Sequence, residues 1–128
     1  MNKIEHINLT VSDPDGLAEL LTNIFGWQIR WSGESMDNGR TIHIGNPEQN
    51  DSYLALYTHA NLTNNRDQSY TTKGNLNHIG IVVPDLEKVE KKVKQLGIST
   101  FNHGEYEPGR RFYFNINDGI EIEVISYT

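Results

Sequence analysis

Apolar and polar positions alternate in the same way at two places in the chain. In His6-Ile7-Asn8-Leu9-Thr10-Val11, an extended strand carries Ile7, Leu9 and Val11 on one side and His6, Asn8 and Thr10 on the other. In His78-Ile79-Gly80-Ile81-Val82-Val83 the arrangement repeats, again opened by a histidine. Each copy runs through an aspartate into a helical period. Asp13 caps a predicted helix that has Pro14 in its first turn and Leu17, Leu20, Leu21, Ile24 and Phe25 on one face, and that Gly26 ends. Asp85 caps a second, with Leu86, Val89, Val93 and Leu96 inward and Gly97 at its end.

Three strands follow each helix. The first set is predicted over residues 27–31, 40–44 and 53–57, with a turn over 32–39. The second set is predicted over 98–102, 111–116 and 120–125, with Asn117-Asp118-Gly119 as a tight turn before the last. The chain therefore reads as one domain of two β-α-β-β-β modules, at about 1–58 and 76–128. A polar, patternless linker at about 59–75 joins them.

If each helix covers one sheet face, the apolar strand positions must point toward it: Ile7, Leu9, Ile42, Ile44, Leu54 and Leu56, then Ile79, Ile81, Phe112, Phe114, Ile122 and Val124. The opposite face then carries His6, Asn8, His43, Tyr53, Ala55, Tyr57, His78, Gly80, Arg111, Tyr113, Asn115, Glu121 and Glu123. A merely solvated face is richer in Lys, Thr and Ser; this one has the composition of a lined cavity.

Charge and composition narrow the partners. A net charge of −6 lacks the basic footprint that a nucleic-acid phosphate backbone requires. No apolar run is long enough for a membrane span and the first residues lead into no signal-peptide core, so the expected location is the cytoplasm. With no cysteine, disulfides, thiolate metal sites and a cysteine nucleophile are excluded. Metal binding must use histidine and carboxylate. A lone histidine on such a face is more simply a hydrogen-bonded structural residue. His6 and His78 at equivalent places, with Glu123 on a strand expected near His78, instead make a two-histidine, one-carboxylate set with open positions, suited to divalent metal chemistry.

The paired modules, their opening histidines and the terminal run Tyr113-Phe114-Asn115-Ile116-Asn117-Asp118-Gly119-Ile120-Glu121-Ile122-Glu123 resemble the vicinal oxygen chelate superfamily. That group includes glyoxalase I, methylmalonyl-CoA epimerase, fosfomycin-resistance enzymes, extradiol dioxygenases and bleomycin-resistance proteins. The resemblance implies an α+β fold in which the two βαβββ modules form a U-shaped, curved mixed sheet around a metal site, usually in a homodimer. It implies metal ligands at His6, His78 and Glu123, with the fourth family position falling on Ala55, which cannot ligate. Glyoxalase I and the epimerase normally place Glu or Gln there for ligation and proton transfer.

The implied function is that of a divalent-metal-dependent enzyme, dioxygenase-like or lyase- or transferase-like, chelating neighbouring oxygens of a small-molecule substrate, with iron, manganese, nickel or zinc as the ion. Tyr113 and His43 are the expected catalytic residues, and Arg111, Asn8 and Tyr53 the expected substrate contacts. Two alternatives remain: a fosfomycin-type thiol transferase opening an epoxide, with Arg110 and Arg111 on a phosphonate, and a bleomycin-resistance-like binding protein in which Trp27, Trp31, Tyr53 and Tyr57 stack on a flat ligand.

Overall fold

The computed structural model describes residues 1–35, 38–49, 51–64, 70–105 and 108–128. Parts of the expected 32–39 turn and of the linker, and residues 106 and 107, lie outside the described residues. In order, the elements are β1 (His6–Thr10), α1 (Pro14–Phe25), β2 (Gln28–Ser35), β3 (Gly39–Gly45), β4 (Tyr53–Thr58), β5 (Ile79–Val82), α2 (Leu86–Gln95), β6 (Thr100–Gly104), β7 (Arg110–Ile116), a 3-10 turn (Asn117–Gly119) and β8 (Ile120–Ser126). Contacts gather the chain into two compact units, Met1–Thr63 and Asn64–Thr128, each a helix on a four-stranded sheet.

The sheets have the same topology. The first runs β1-β4-β3-β2 and the second β5-β8-β7-β6. In each, the opening strand pairs parallel with the last, and the other neighbours are antiparallel. The helix starts are fixed locally: Asp13 accepts the Gly16 N–H at 3.0 Å and Asp85 accepts the Lys88 N–H at 3.1 Å, filling orphan donors of the first turn. Gly26 adopts φ 73° and returns its N–H to Thr22 O at 2.9 Å, closing α1 in a conformation that favours glycine.

Packing follows the alternation. In the first unit α1 packs on β3 and β4, with Leu17 and Leu21 of the helix and Ile42, Ile44 and Leu56 of the strands fully buried; in the second Val93 of α2 is buried, as are Phe112, Phe114, Ile122 and Val124. Ile7 departs from the expectation and stays 37% exposed. It lies on an edge strand, while α1 packs over β2, β3 and β4. Leu96, expected to point inward, caps the C-terminus of α2 and is also exposed.

Two strand limits differ for reasons of pairing. β2 continues to Ser35 because its ladder with β3 extends through Glu34↔Arg40 and Ser35↔Gly39, taking up residues expected to turn. β6 starts at Thr100, since the Ile98 N–H is committed to Val93 O at the end of α2. Among the described residues, no helix is long and apolar enough to cross a membrane.

Candidate functional site

Strand register brings together the candidate residues of the second unit. Tyr113 on β7 pairs with Glu123 on β8, which pairs in turn with Gly80 on β5. Glu123 Oε2 accepts two hydrogen bonds, from the Tyr113 hydroxyl at 2.9 Å and from Arg111 Nη1 at 3.1 Å. These groups are held away from solvent, with the Glu123 side chain 12% exposed and that of Arg111 13%. The other oxygen, Oε1, faces His78 Nε2 at 3.3 Å. Gly80 keeps this approach open: a Cβ there would meet Oε1 at 3.5 Å, an ordinary contact, whereas any longer side chain would compete for the same space.

The far side of the His78 ring has its own partners. Its Nδ1 lies 3.3 Å from the Tyr70 hydroxyl and 3.7 Å from Glu121 Oε2, and Tyr70 donates a short hydrogen bond to that same Glu121 oxygen. This bond to a carboxylate, helped by desolvation, pushes the Tyr70 hydroxyl up to about 12. The Tyr113 ring meets His78 edge-on, with centroids 5.6 Å apart.

In the first unit the same topology produces a row of rings. Trp31 on β2 pairs with His43 on β3, His43 with Ala55 on β4, and Ala55 with Asn8 on β1. The rings of Trp31 and His43 are 5.1 Å apart, His43 and Tyr53 4.6 Å, and Tyr53 and His6 4.9 Å in a stacked pair. His6 Nδ1 bonds Glu5 Oε1 at 2.9 Å, and the Tyr53 hydroxyl donates to the same oxygen at 3.2 Å. Arg30 lies over the Tyr53 ring, 5.2 Å from its centroid.

These contacts tune the groups. The bonds from His6 and Tyr53 hold the Glu5 carboxyl below the usual range. Partial burial holds the His43 imidazole below its ordinary value, with the charges of His6 and Arg30 adding and that of Glu5 opposing. His43 is thereby favoured as a neutral ring near neutral pH. Tyr53 moves upward through desolvation and its bond to Glu5.

Of the residues expected from sequence, the second unit thus joins His78, Glu123, Tyr113 and Arg111, and the first joins His6, Tyr53 and His43 in one ring stack, with Asn8 beside Ala55. Ala55, expected on the cavity-lining face, is 2% exposed and stands in register between Asn8 and His43. Within neither unit do three His, Asp or Glu side chains among the described residues form a metal-holding group. Three participants were not singled out by sequence: Glu5, Glu121 and Tyr70. Parity placed Glu121 on the correct face without a role, and adjacency was the signal for Glu5. Tyr70 sits in the patternless segment and carried no signal at all.

Comparison with known proteins decides the family. The sequence profile of the Glyoxalase/Bleomycin resistance protein/Dioxygenase superfamily matches residues 3–124. The chain belongs to that superfamily. No curated protein sequence is significantly similar to this superfamily member. Among solved structures, it resembles a glyoxylase/bleomycin resistance protein/dioxygenase domain from Frankia sp. EAN1pec at 21% identity and TM-score 0.82, covering 98% of each chain. It also resembles the trypanothione-dependent glyoxalase I of Leishmania major at 21% identity and TM-score 0.77, covering 99% of this chain and 88% of that one. A third is the genomically encoded fosfomycin resistance protein FosX from Listeria monocytogenes, complexed with Mn(II) and sulfate ion, at 19% identity and TM-score 0.74, covering 100% of this chain and 94% of that one. At these identities the likenesses establish the shared fold of the superfamily members.

Proposed function

We propose that this superfamily member is a divalent-metal-dependent enzyme acting on a small molecule through neighbouring oxygens. His78 and Glu123 are two ligands in this reading, and a His6, whether of the same chain or of a second copy in a homodimer, is the third. The observation that carries it is the pairing of His78 Nε2 with Glu123 Oε1 at 3.3 Å. Two donors each about 2.1 Å from one ion stand about 3.0 to 3.4 Å apart at octahedral or tetrahedral angles, so this spacing suits a shared metal edge.

The surroundings fit the same role. Arg111 and Tyr113 occupy Glu123 Oε2, which turns the carboxylate so that Oε1 is the oxygen on offer. A bound ion would supply Lewis acidity, or oxygen activation if it were iron. Tyr113 and Arg111 would orient the carboxylate ligand, and in the first unit His43, favoured as a neutral imidazole, is the base this reading assigns to a substrate proton. Ala55 leaves one fewer donor than the four-ligand members have, so more of the coordination sphere is open to substrate. FosX carries Mn(II) on the same fold, which makes manganese a reasonable first ion to test.

The test is metal analysis of protein reconstituted with iron, manganese, nickel or zinc, in wild type, Glu123→Ala and His78→Ala. The expected result is about one ion per chain in the wild type and loss in both variants. An ion content no higher in the wild type than in the variants would overturn the metal reading and leave a small-molecule binding protein as the alternative.

A further inference from the structure

Both candidate histidines are approached on Nδ1 by a carboxylate system that neither the fold family match nor the ligand set requires. For His6 the partner is direct: Glu5 Oε1 lies 2.9 Å from Nδ1. A carboxylate only accepts, so this contact fixes the proton on Nδ1 and leaves the Nε2 lone pair free. For His78 the partner is a two-membered chain. The Tyr70 hydroxyl is 3.3 Å from Nδ1 and spends its own proton on Glu121. With that proton committed, the Tyr70 oxygen meets His78 as an acceptor, and Nδ1 must be the donor.

We propose that Glu121 acting through Tyr70, and Glu5 acting directly, are positioning residues that hold His78 and His6 as Nδ1–H tautomers and present Nε2 of each ring as a metal donor. The metal role rests on the function proposed above; the tautomer assignment does not. One consequence is visible at Glu123. With its proton on Nδ1, His78 turns an unprotonated Nε2 toward the carboxylate oxygen Oε1, 3.3 Å away. Two acceptors facing each other repel, and a shared cation relieves that repulsion. The arrangement therefore stores an affinity for positive charge at this edge. Tyr70 matters because it belongs to the segment joining the modules, at 60% exposure, yet fixes a ring at the site.

Removing Glu121 has a specific effect under this scheme. The Tyr70 O–H loses its acceptor and turns to donate to Nδ1, which moves the His78 proton to Nε2 and blocks the ligand position. The experiment is long-range 1H–15N correlation on metal-free, 15N-histidine-labelled protein at about pH 8, where an ordinary imidazole is neutral. It is coupled to Mn(II) titration followed by electron paramagnetic resonance.

In the wild type both rings are expected as Nδ1–H. Glu121→Ala should convert His78 to Nε2–H and leave His6 unchanged, and Glu5→Ala should alter His6 and leave His78. Glu121→Gln, whose amide oxygen still accepts from Tyr70, should keep the wild-type His78 pattern. Mn(II) affinity should fall about 10- to 100-fold in the two alanine variants with stoichiometry unchanged, the usual cost of losing an outer partner of a metal-bound histidine. An unaltered His78 tautomer in Glu121→Ala overturns the proposal, as does an equal change in both rings from either variant. A wild type that takes up no Mn(II) yet shows these tautomer shifts overturns the metal reading alone and leaves the positioning role standing.

Discussion

Ala55 and Glu123 occupy the same place in the two modules. Ala55 lies on β4 between His43 and Asn8, and Glu123 lies on β8 between Tyr113 and Gly80. The duplicated fold thus puts a carboxylate on one side of its internal repeat and a methyl group on the other. His43 and Tyr113 are likewise equivalent, as are Trp31 and Phe101. One module carries a carboxylate at this place, and the other carries a stack of rings beside it.

The first prediction concerns reaction type. The family resemblance puts Ala55 where glyoxalase I uses a carboxylate or amide for ligation and proton transfer. The metal-loaded protein should show no glyoxalase I activity above the uncatalysed rate. Turnover that is lost in Glu123→Ala would show that another group takes the proton and that the role assigned to this position is wrong.

The second prediction concerns the support of Glu123. Its Oε2 relies on Arg111, and both side chains are largely buried, so Arg111→Met leaves a carboxylate short of one charged donor. Urea unfolding should report a loss of about 2 kcal/mol. Added to Glu123→Gln, the same change should cost clearly less, because the carboxylate it supports is already gone. Strict additivity in this cycle would count against the pair.

The third prediction concerns pH. In the second unit Glu90 on α2 is met by His103 Nε2 at 2.5 Å and Thr100 Oγ1 at 2.6 Å, both on β6, with Lys94 at 3.5 Å. Burial raises the Glu90 carboxyl, but the bonds from His103 and Thr100 and the nearby positive charges outweigh it, and the group ends below its ordinary 4.5. A carboxyl depressed in the folded state contributes stability that is fully present above that ordinary value and is lost as pH falls through the folded value. Urea midpoints should therefore drop on the acid side, and Glu90→Gln should flatten that part of the profile. An unchanged acid limb in Glu90→Gln would remove this cluster from the explanation.

A fourth concerns Trp31. Its ring lies over Gly33, where an added Cβ would sit 2.7 Å from Trp31 Cζ2, closer than side-chain atoms pack. Gly33→Val should push the ring off β2 and away from His43. In a Trp27→Phe background the emission spectrum and quenching of the remaining Trp31 should change. Identical spectra would mean that the ring does not rest there.

Most of the architecture was legible because its causes are local. Alternation assigned strand faces, Asp13 and Asp85 marked helix starts, and duplication let each module check the other. The departures come from non-local pairing: β2 runs on to Ser35 because β3 supplies partners, and Ile7 stays exposed on an edge strand while α1 packs mainly over β2, β3 and β4.

For the site, the sequence by itself determined which chemistry is available on one face: histidines, the carboxylates of Glu121 and Glu123, and no thiolate; the resemblance alone put an alanine, Ala55, where a fourth ligand was due. Only tertiary structure decided which oxygen of Glu123 is committed to Arg111 and Tyr113 and which faces His78. It also brought Tyr70 from a stretch with no pattern onto Glu121. The physical reason is that periodicity encodes the face on which a residue lies, a property of a few neighbours along the chain. A hydrogen bond between residues as far apart as Tyr70 and Glu121 depends on where two segments end up, and leaves no trace in either segment alone.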